Sequence, residues 1–226
     1  MNQATHPDVV LEAWTAAAAG PRRFLVLPDG CHDLILHLGD GPDAASWQVS
    51  PLDDAARRVD SPGTGRWFGW RLRPGTRVMQ PLLLQSVAQL GRDLPIDANA
   101  LQGQVASRLA DFCRTDPRVD EALAAVAGAT HVAAAGRALG VSERSLQRLI
   151  TPATGHPPAF WRSLARIRGA VRALAGPAPL SAIAADHGFA DQAHFSRECR
   201  RWMGQPPARL RRDVQALRTA TASGYG

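Results

Sequence analysis

Over its first eighty or so residues the chain alternates short apolar runs with clusters of turn-forming residues. "RFLVLP", "DLILHL", "SWQVSP" and "RWFGWRLRP" are apolar throughout or apolar at every second position, and "PDG", "GDGPD" and "SPGTG" punctuate them. Successive side chains of a strand point to opposite faces, so these runs predict a β-rich region, with "VVLEAWTA" ahead of them a further candidate strand. From Pro81 the spacing changes. "PLLLQSVAQLG" and "NALQGQVASRLADFCR" return to apolar residues every three or four positions and keep polar faces between them, which predicts helices. Asp116 and Pro117 read as a helix start, with Asp as N-cap and Pro in the first turn, where its missing N–H is not needed. Beyond Gly128 the helical pattern continues nearly to the end. The organisation expected from the pattern is a β-rich region at 1–85, a helical connector at 86–117, a helical domain at 118–212 and a flexible tail at 213–226.

Inside the helical part the chain repeats itself. "GHPPAFWR" at Gly155–Arg162 returns as "GQPPARLR" at Gly204–Arg211, 49 positions later. In front of the first copy stands "VAAAGRALGVSERSLQRLI", Val132–Ile150, and in front of the second "LSAIAADHGFADQAHFSRECR", Leu180–Arg200. Each carries a small residue four before a glycine: Gly136 before Gly140, and Ala184 before Gly188. Two helices that cross steeply need a small side chain at the crossing, and a tight turn between them needs a residue that tolerates positive φ. The pattern therefore predicts two helix-turn-helix units. Val141 and Phe189 are expected to plug their turns, and Ser142 and Asp191 to cap the second helices. Leu146 and Ile150 in one copy, and Phe195 and Cys199 in the other, then face inward.

That placement leaves Arg144, Gln147 and Arg148 on the outer face of one second helix, and Gln192, Ser196 and Arg197 on the other. Arg and Gln can each make paired hydrogen bonds to the edges of guanine and adenine. A single such helix pair is common in proteins that bind no nucleic acid; two at matched offset point to DNA. Between them, "PAFWRSLARIRGAVRALAG" predicts one amphipathic helix with Phe160, Leu164, Ile167, Val171 and Leu174 as its buried stripe. Its Arg162, Arg166, Arg168 and Arg172 are candidates for phosphate contact, or else solvated surface.

Charge sharpens the picture. Residues 1–130 hold 12 Arg against 15 Asp and Glu, and residues 131–226 hold 14 Arg against 5, so the surplus behind the net +6 lies wholly in the second part. A basic half points to a polyanionic partner. The chain has 226 residues, enough for one or two domains with real cores, and no apolar run long enough to span a membrane, so no membrane partner is expected. No secretory leader is visible at its start. Three widely spaced cysteines, Cys31, Cys113 and Cys199, fit neither a disulfide framework nor a cysteine zinc site, and suggest a reducing, cytoplasmic setting.

The stretch "GFADQAHFSRECRRWMGQPPARLR" closely resembles the C-terminal signature of the AraC/XylS family of bacterial transcription regulators. The residues that carry this resemblance are Gly188-Phe189, Asp191-Gln192, His194-Phe195-Ser196-Arg197, Gly204 and Pro207, and it extends over about residues 118–212. The resemblance implies two helix-turn-helix units on a long linker helix, each presenting one helix to the major groove of one stretch of double-stranded DNA. By position it makes Arg144, Gln147, Arg148, Gln192, Ala193, Ser196 and Arg197 the base-reading or nearby phosphate-contacting residues. Gly136 departs from the family's usual Ala, at a helix-propensity cost of about 1 kcal/mol. Cys199 stands where an aromatic residue is expected.

Further toward the N-terminus, "VLPDGCHDLILHLGDG" and "GWRLRPG" resemble an uncharacterised β-rich domain found ahead of some of these regulators. In better-known relatives this domain is a cupin-like half-barrel that binds a small effector or dimerises. The fold implied is α+β: a small β-rich, cupin-like half-barrel domain followed by an all-α domain of two helix-turn-helix units joined by a linker helix. The partners implied are double-stranded DNA, RNA polymerase, a small-molecule effector and a second copy in a homodimer. No cofactor is called for.

Three functional classes stay open for the N-terminal domain: a sensor, a module that only dimerises or contacts polymerase, and an enzyme. For a cupin metal site the candidates are Cys31, Asp33 and His37, which share one strand parity, while His32 points the other way. The plainer reading makes His32 and His37 ordinary half-exposed or satisfied residues, Asp33 a turn cap or the maker of a structural hydrogen bond, and Cys31 an inert buried thiol rather than a redox sensor. Trp14, Trp47, Trp67 and Trp70 can line an apolar pocket or simply fill a core.

Overall fold

The computed structural model describes residues 8–39, 45–61, 63–90 and 98–226. The chain is mixed α+β, β-rich first and helical after, and separates into two modules. The sheet module comprises Met1–Phe24, Cys31–Pro51 and Asp60–Asp116. Its centre is an antiparallel four-stranded sheet of β1 (Val10–Ala19), β3 (Asp33–Leu38), β4 (Ala45–Val49) and β6 (Thr64–Leu72), in the order β1-β6-β3-β4. The other strands are β2 (Arg22–Val26) and β5 (Arg57–Ser61), which form a two-stranded ribbon, and the short pair β7 (Arg77–Val78) and β8 (Cys113–Arg114). Alternation puts Leu34, Leu36 and Leu38 of β3 on one face, joined there by Trp70 and Leu72 of β6.

Two helices, α1 (Gln80–Val87) and α2 (Ala98–Phe112), cover that face with Leu83, Val87, Leu101, Val105 and Leu109. Here the structure departs from the expected connector at 86–117: these helices complete the sheet's core. An antiparallel sheet with one apolar face has to bury it, and the nearest apolar helices in sequence do so. The strand β5, "RRVDS", escaped the pattern because two arginines and an aspartate occupy five positions, although its accessibility does alternate.

The helical module comprises Pro117–Gly226 together with two segments from far upstream, Leu25–Gly30 and Leu52–Val59. Its helices are α3 (Pro117–Gly128), α4 (Val132–Ala138), α5 (Glu143–Thr154), α6 (Pro158–Ala173), α7 (Leu180–Asp186), α8 (Gln192–Met203), α9 (Pro207–Arg212) and α10 (Val214–Ala220). They enclose one core. The stripe of α6 (Trp161, Leu164, Ile167, Ala170 and Val171) lies at its centre, with Leu123 and Val126 of α3, Leu146 and Ile150 of α5, and Phe195, Cys199, Trp202 and Met203 of α8 around it. Leu27 and Leu52 of the upstream segments pack against the same core.

The segment at 213–226, expected to be flexible, is built into this module. Asp213 caps α10, its carboxylate accepting from Ala216 N at 2.9 Å. Tyr225 is buried, with its ring edge-on to Trp161 at 4.8 Å and its hydroxyl donating to Leu123 O at 2.7 Å. A run of small and polar residues reads as a tail because the one aromatic residue that anchors it lies beyond any helical period.

Candidate DNA-binding surface

The two helix-turn-helix units are α4–α5 and α7–α8, and the same local logic builds both turns. Gly140 and Gly188 hold φ of +67° and +71°, the left-handed conformation that side chains resist. In each turn the residue after the glycine donates its N–H back to the small residue of the first helix: Val141 N to Gly136 O at 2.8 Å, and Phe189 N to Ala184 O at 2.9 Å. Ser142 caps α5 by accepting from Ser145 N at 3.2 Å, and Asp191 caps α8 by accepting from His194 N at 2.6 Å. Gly155 and Gly204 end the two helices in left-handed conformation, and Pro158 and Pro207 begin α6 and α9.

Gly136 is fitted to its place. A Cβ added there would meet the Val141 carbonyl oxygen at 2.7 Å, so the close crossing of α4 and its turn depends on the missing side chain. Val141 itself does not plug the turn: it is 40% exposed, whereas Phe189 is 5% exposed. Cys199 is fully buried among Phe195, Trp202 and Met203, so the larger aromatics nearby fill the volume. Burial pushes its thiol up to about 12 and that of Cys113 up to about 11, which leaves both unreactive near neutrality.

Both second helices are strongly amphipathic. Leu146 and Ile150 of α5 are buried, while Arg144, Gln147 and Arg148 are exposed. On α8, Phe195 and Cys199 are buried, Gln192, Ala193 and Arg197 are exposed, and Ser196 is half-buried. Among the described residues, no salt bridge ties up Arg144, Arg148 or Arg197.

Each second helix is locked at its C-terminal end. Thr154, at the end of α5, accepts from Trp161 Nε1 of α6 at 3.0 Å. At the end of α8, Arg201 O accepts from Ala56 N at 2.9 Å, the Arg201 guanidinium lies 3.4 Å from the Asp54 carboxylate, and Leu25 and Ala56 approach Gly204.

The four arginines of the linker helix have separate fates. Arg168 is 2% exposed and donates to Ala222 O at 2.6 Å, so it ties down the C-terminal segment. Arg166 lies 4.6 Å over the Phe189 ring and donates to Gly188 O at 3.3 Å, bracing the second turn. Arg162 is half-buried, and burial first, then the neighbouring Arg166, pulls its pKa down. Arg172 is exposed and, with Arg211 and Arg218, lines an open groove of about 570 Å³. Helical periodicity could place these residues on faces; it could not show which faces other segments cover. Sequence reasoning also missed His131, whose Nδ1 caps α4 by accepting from Ala134 N at 3.1 Å.

In the sheet module, Asp33 accepts from Trp14 Nε1 at 3.0 Å and from Arg71 Nε at 3.3 Å. His37 stacks on Trp67 at 4.7 Å, and His32 Nδ1 lies 2.7 Å from Ser50 O. The tryptophans divide between the faces of the sheet. Trp47 and Trp70 stack at 5.7 Å on the helix-covered face, and Trp14 and Trp67 occupy the other. An open groove of about 480 Å³, lined by residues that include Ala17, Arg22, Leu38, Gly65 and Arg66, lies at one end of the sheet.

Two capped, Gly-turned helix pairs on a shared linker helix, each offering an Arg- and Gln-bearing face, define a DNA-binding protein. Residues 135–213 match the family model described as a helix-turn-helix domain. This segment is an AraC-type helix-turn-helix domain, and the chain that carries it is a DNA-binding transcription regulator. Among solved structures the chain is similar to an apo ToxT variant from Vibrio cholerae strain SCE256. The identity is 11%, the match covers 88% of this chain and 96% of that one, and the TM-score is 0.44. ToxT from Vibrio cholerae O395 is similar at 10% identity, over 94% of this chain and 98% of that one, with a TM-score of 0.45. No curated protein matches the chain.

Proposed function

We propose that the protein reads two adjacent major-groove segments of one DNA site, with α5 in the first and α8 in the second. The observation that carries this is the paired amphipathicity: each second helix buries its apolar face in one common core and turns Arg and Gln outward. Arg144, Gln147 and Arg148 serve the first segment, and Gln192, Ala193, Ser196 and Arg197 the second. Arg148 and Arg197 are the leading candidates for paired hydrogen bonds to guanine, and Ala193 for apolar contact with a thymine methyl. Arg172 is the linker-helix candidate for a phosphate contact, which positions the protein without specifying sequence.

On this reading DNA recognition belongs to the part of the chain around residues 118–212, and the part ahead of it is a sensor that works in the cytoplasm. The support for a sensor is a separate module with its own core, together with the open groove beside Ala17 and Arg66. A small molecule acts there only if it favours one state of the protein over another. Contact with RNA polymerase belongs to the same role.

The test is selection of binding sites from random duplexes with the full-length protein, then titration of the best duplex and a scrambled one over a salt series. Strong preference for one sequence, with affinity falling as salt rises, is expected. Equal affinity for both duplexes would refute base reading.

A further inference from the structure

The groove that Arg172, Arg211 and Arg218 line lies wholly within the helical module and holds about 570 Å³, room for a small organic molecule. Its walls are the C-terminal end of α6, the last turn of α9 and the face of α10 that carries Val214, Leu217 and Arg218 at helical spacing. No Asp or Glu lines it, and among the described residues none of its three arginines is in a salt bridge. Asp213, beside it in sequence, is occupied in capping α10 through Ala216 N. Arg211 is fixed in place: its guanidinium donates to Ala178 O at 2.7 Å, while its Nε is buried and has no hydrogen-bond partner among the described residues. A cleft lined by one sign of charge focuses its field and concentrates counter-ions. The remainder of the wall is largely apolar. Leu174 and Leu217 contribute to it, and Val214, at 61% exposed, is the most exposed large apolar side chain among the described residues.

We propose that this groove binds a small amphiphilic organic anion, a carboxylate or phosphate ester with an apolar body. The arginines hold the acidic head by charge-assisted hydrogen bonds, and the body lies along Leu174, Leu217 and Val214. Arg211 is already oriented by Ala178, so it loses little freedom when the anion arrives. Both halves of the ligand are needed. A bare inorganic anion leaves Val214 in water, and a neutral apolar molecule leaves three like charges without a counter-charge. A DNA phosphate supplies the charge but no apolar body, so the composition of the wall favours the small amphiphile. The wall that α10 supplies lies beyond the matched helix-turn-helix segment 135–213. The site is also separate from the groove at the end of the sheet and does not depend on the sensor reading.

The test is isothermal titration of the full-length protein, without DNA, with octanoate, phenylacetate and phenyl phosphate. Each is run beside its alcohol (octanol, phenylethanol or phenol) and beside inorganic phosphate. At least one acid is expected to bind roughly tenfold or more tightly than both its alcohol and inorganic phosphate, and to raise the Tm. Val214→Asp and Arg218→Gln change exposed side chains, one setting a like charge against the ligand's head and the other removing a partner from it. Each is expected to weaken binding of that acid roughly tenfold or more. The proposal is overturned if no acid exceeds its alcohol and inorganic phosphate, or if either variant binds the acid as tightly as the wild type. Should Arg218→Gln keep the acid yet flatten the salt dependence of duplex binding, the groove serves the DNA backbone instead.

Discussion

The first and second helix-turn-helix units use the same turn, the same glycine conformation and the same backbone hydrogen bond, yet they are held by different means. In the first, close backbone approach at Gly136 holds the turn, and the residue after the glycine, Val141, is left in solvent. In the second, Ala184 stands at the crossing and an aromatic group supports the turn: Phe189 is packed on Phe195 at 5.1 Å, flanked by His194 at 5.4 Å and covered by Arg166. The second helix of the second unit, α8, is also held by Asp54 and Ala56, residues from a distant part of the sequence, whereas α5 is locked by its immediate neighbour α6. One motif can thus be stabilised by backbone geometry or by side-chain packing, and the two solutions fail differently.

The largest difference is expected at the plug position. Phe189→Ala removes a buried aromatic and should cost roughly 3–5 kcal/mol of stability, while Val141→Ala should stay within about 0.5 kcal/mol. Urea unfolding of the two variants measures both, and equal losses would erase the contrast. Next are the DNA contacts. Arg148→Ala and Arg197→Ala should each reduce discrimination between specific and scrambled duplex by roughly 1–3 kcal/mol. A loss that is equal on the two duplexes for either one would make that arginine a phosphate contact and the two units unequal readers.

Smaller effects separate the crossings. Gly136→Ala gains about 1 kcal/mol of helix propensity, but its Cβ meets a backbone oxygen, and overpacking typically costs about 1–3 kcal/mol, so a net loss is expected. Ala184→Gly should lose about 1 kcal/mol from propensity alone. A stabilised Gly136→Ala protein would show that the turn can move aside. The smallest change is Asp54→Ala. Its pair with Arg201 is largely exposed, so the loss should be below about 1 kcal/mol and should vanish in high salt.

The helical pattern, the doubled Gly-x-Pro-Pro signal and the strand runs were legible in the sequence because each is local, written within a few residues of where it acts. The inward and outward faces of α5 and α8 come from spacing alone. What stayed hidden depends on partners far along the chain. No periodicity shows that Arg168 is buried beneath Ala222, or that Leu27 and Leu52 join a core formed mostly after Pro117. The exposed Val141 was unreadable for a related reason: whether a side chain is needed in a turn depends on how closely two backbones approach. A domain cut at 118–212 by sequence pattern would omit Leu27, Leu52, Ala220 and Tyr225 from its own core.

Tyr225 donates to a carbonyl 102 positions earlier, and Arg201 reaches a carboxylate 147 positions earlier. Contacts of that span form late, because a long stretch of chain must be gathered before any of them is made. The helical module therefore cannot finish folding until Tyr225 has been made: it takes up residues made early and waits for that last anchor. A chain that already has α5 and α8 but not Tyr225 still lacks part of the core that holds them, so competence to bind DNA should arrive abruptly, once that anchor is in place.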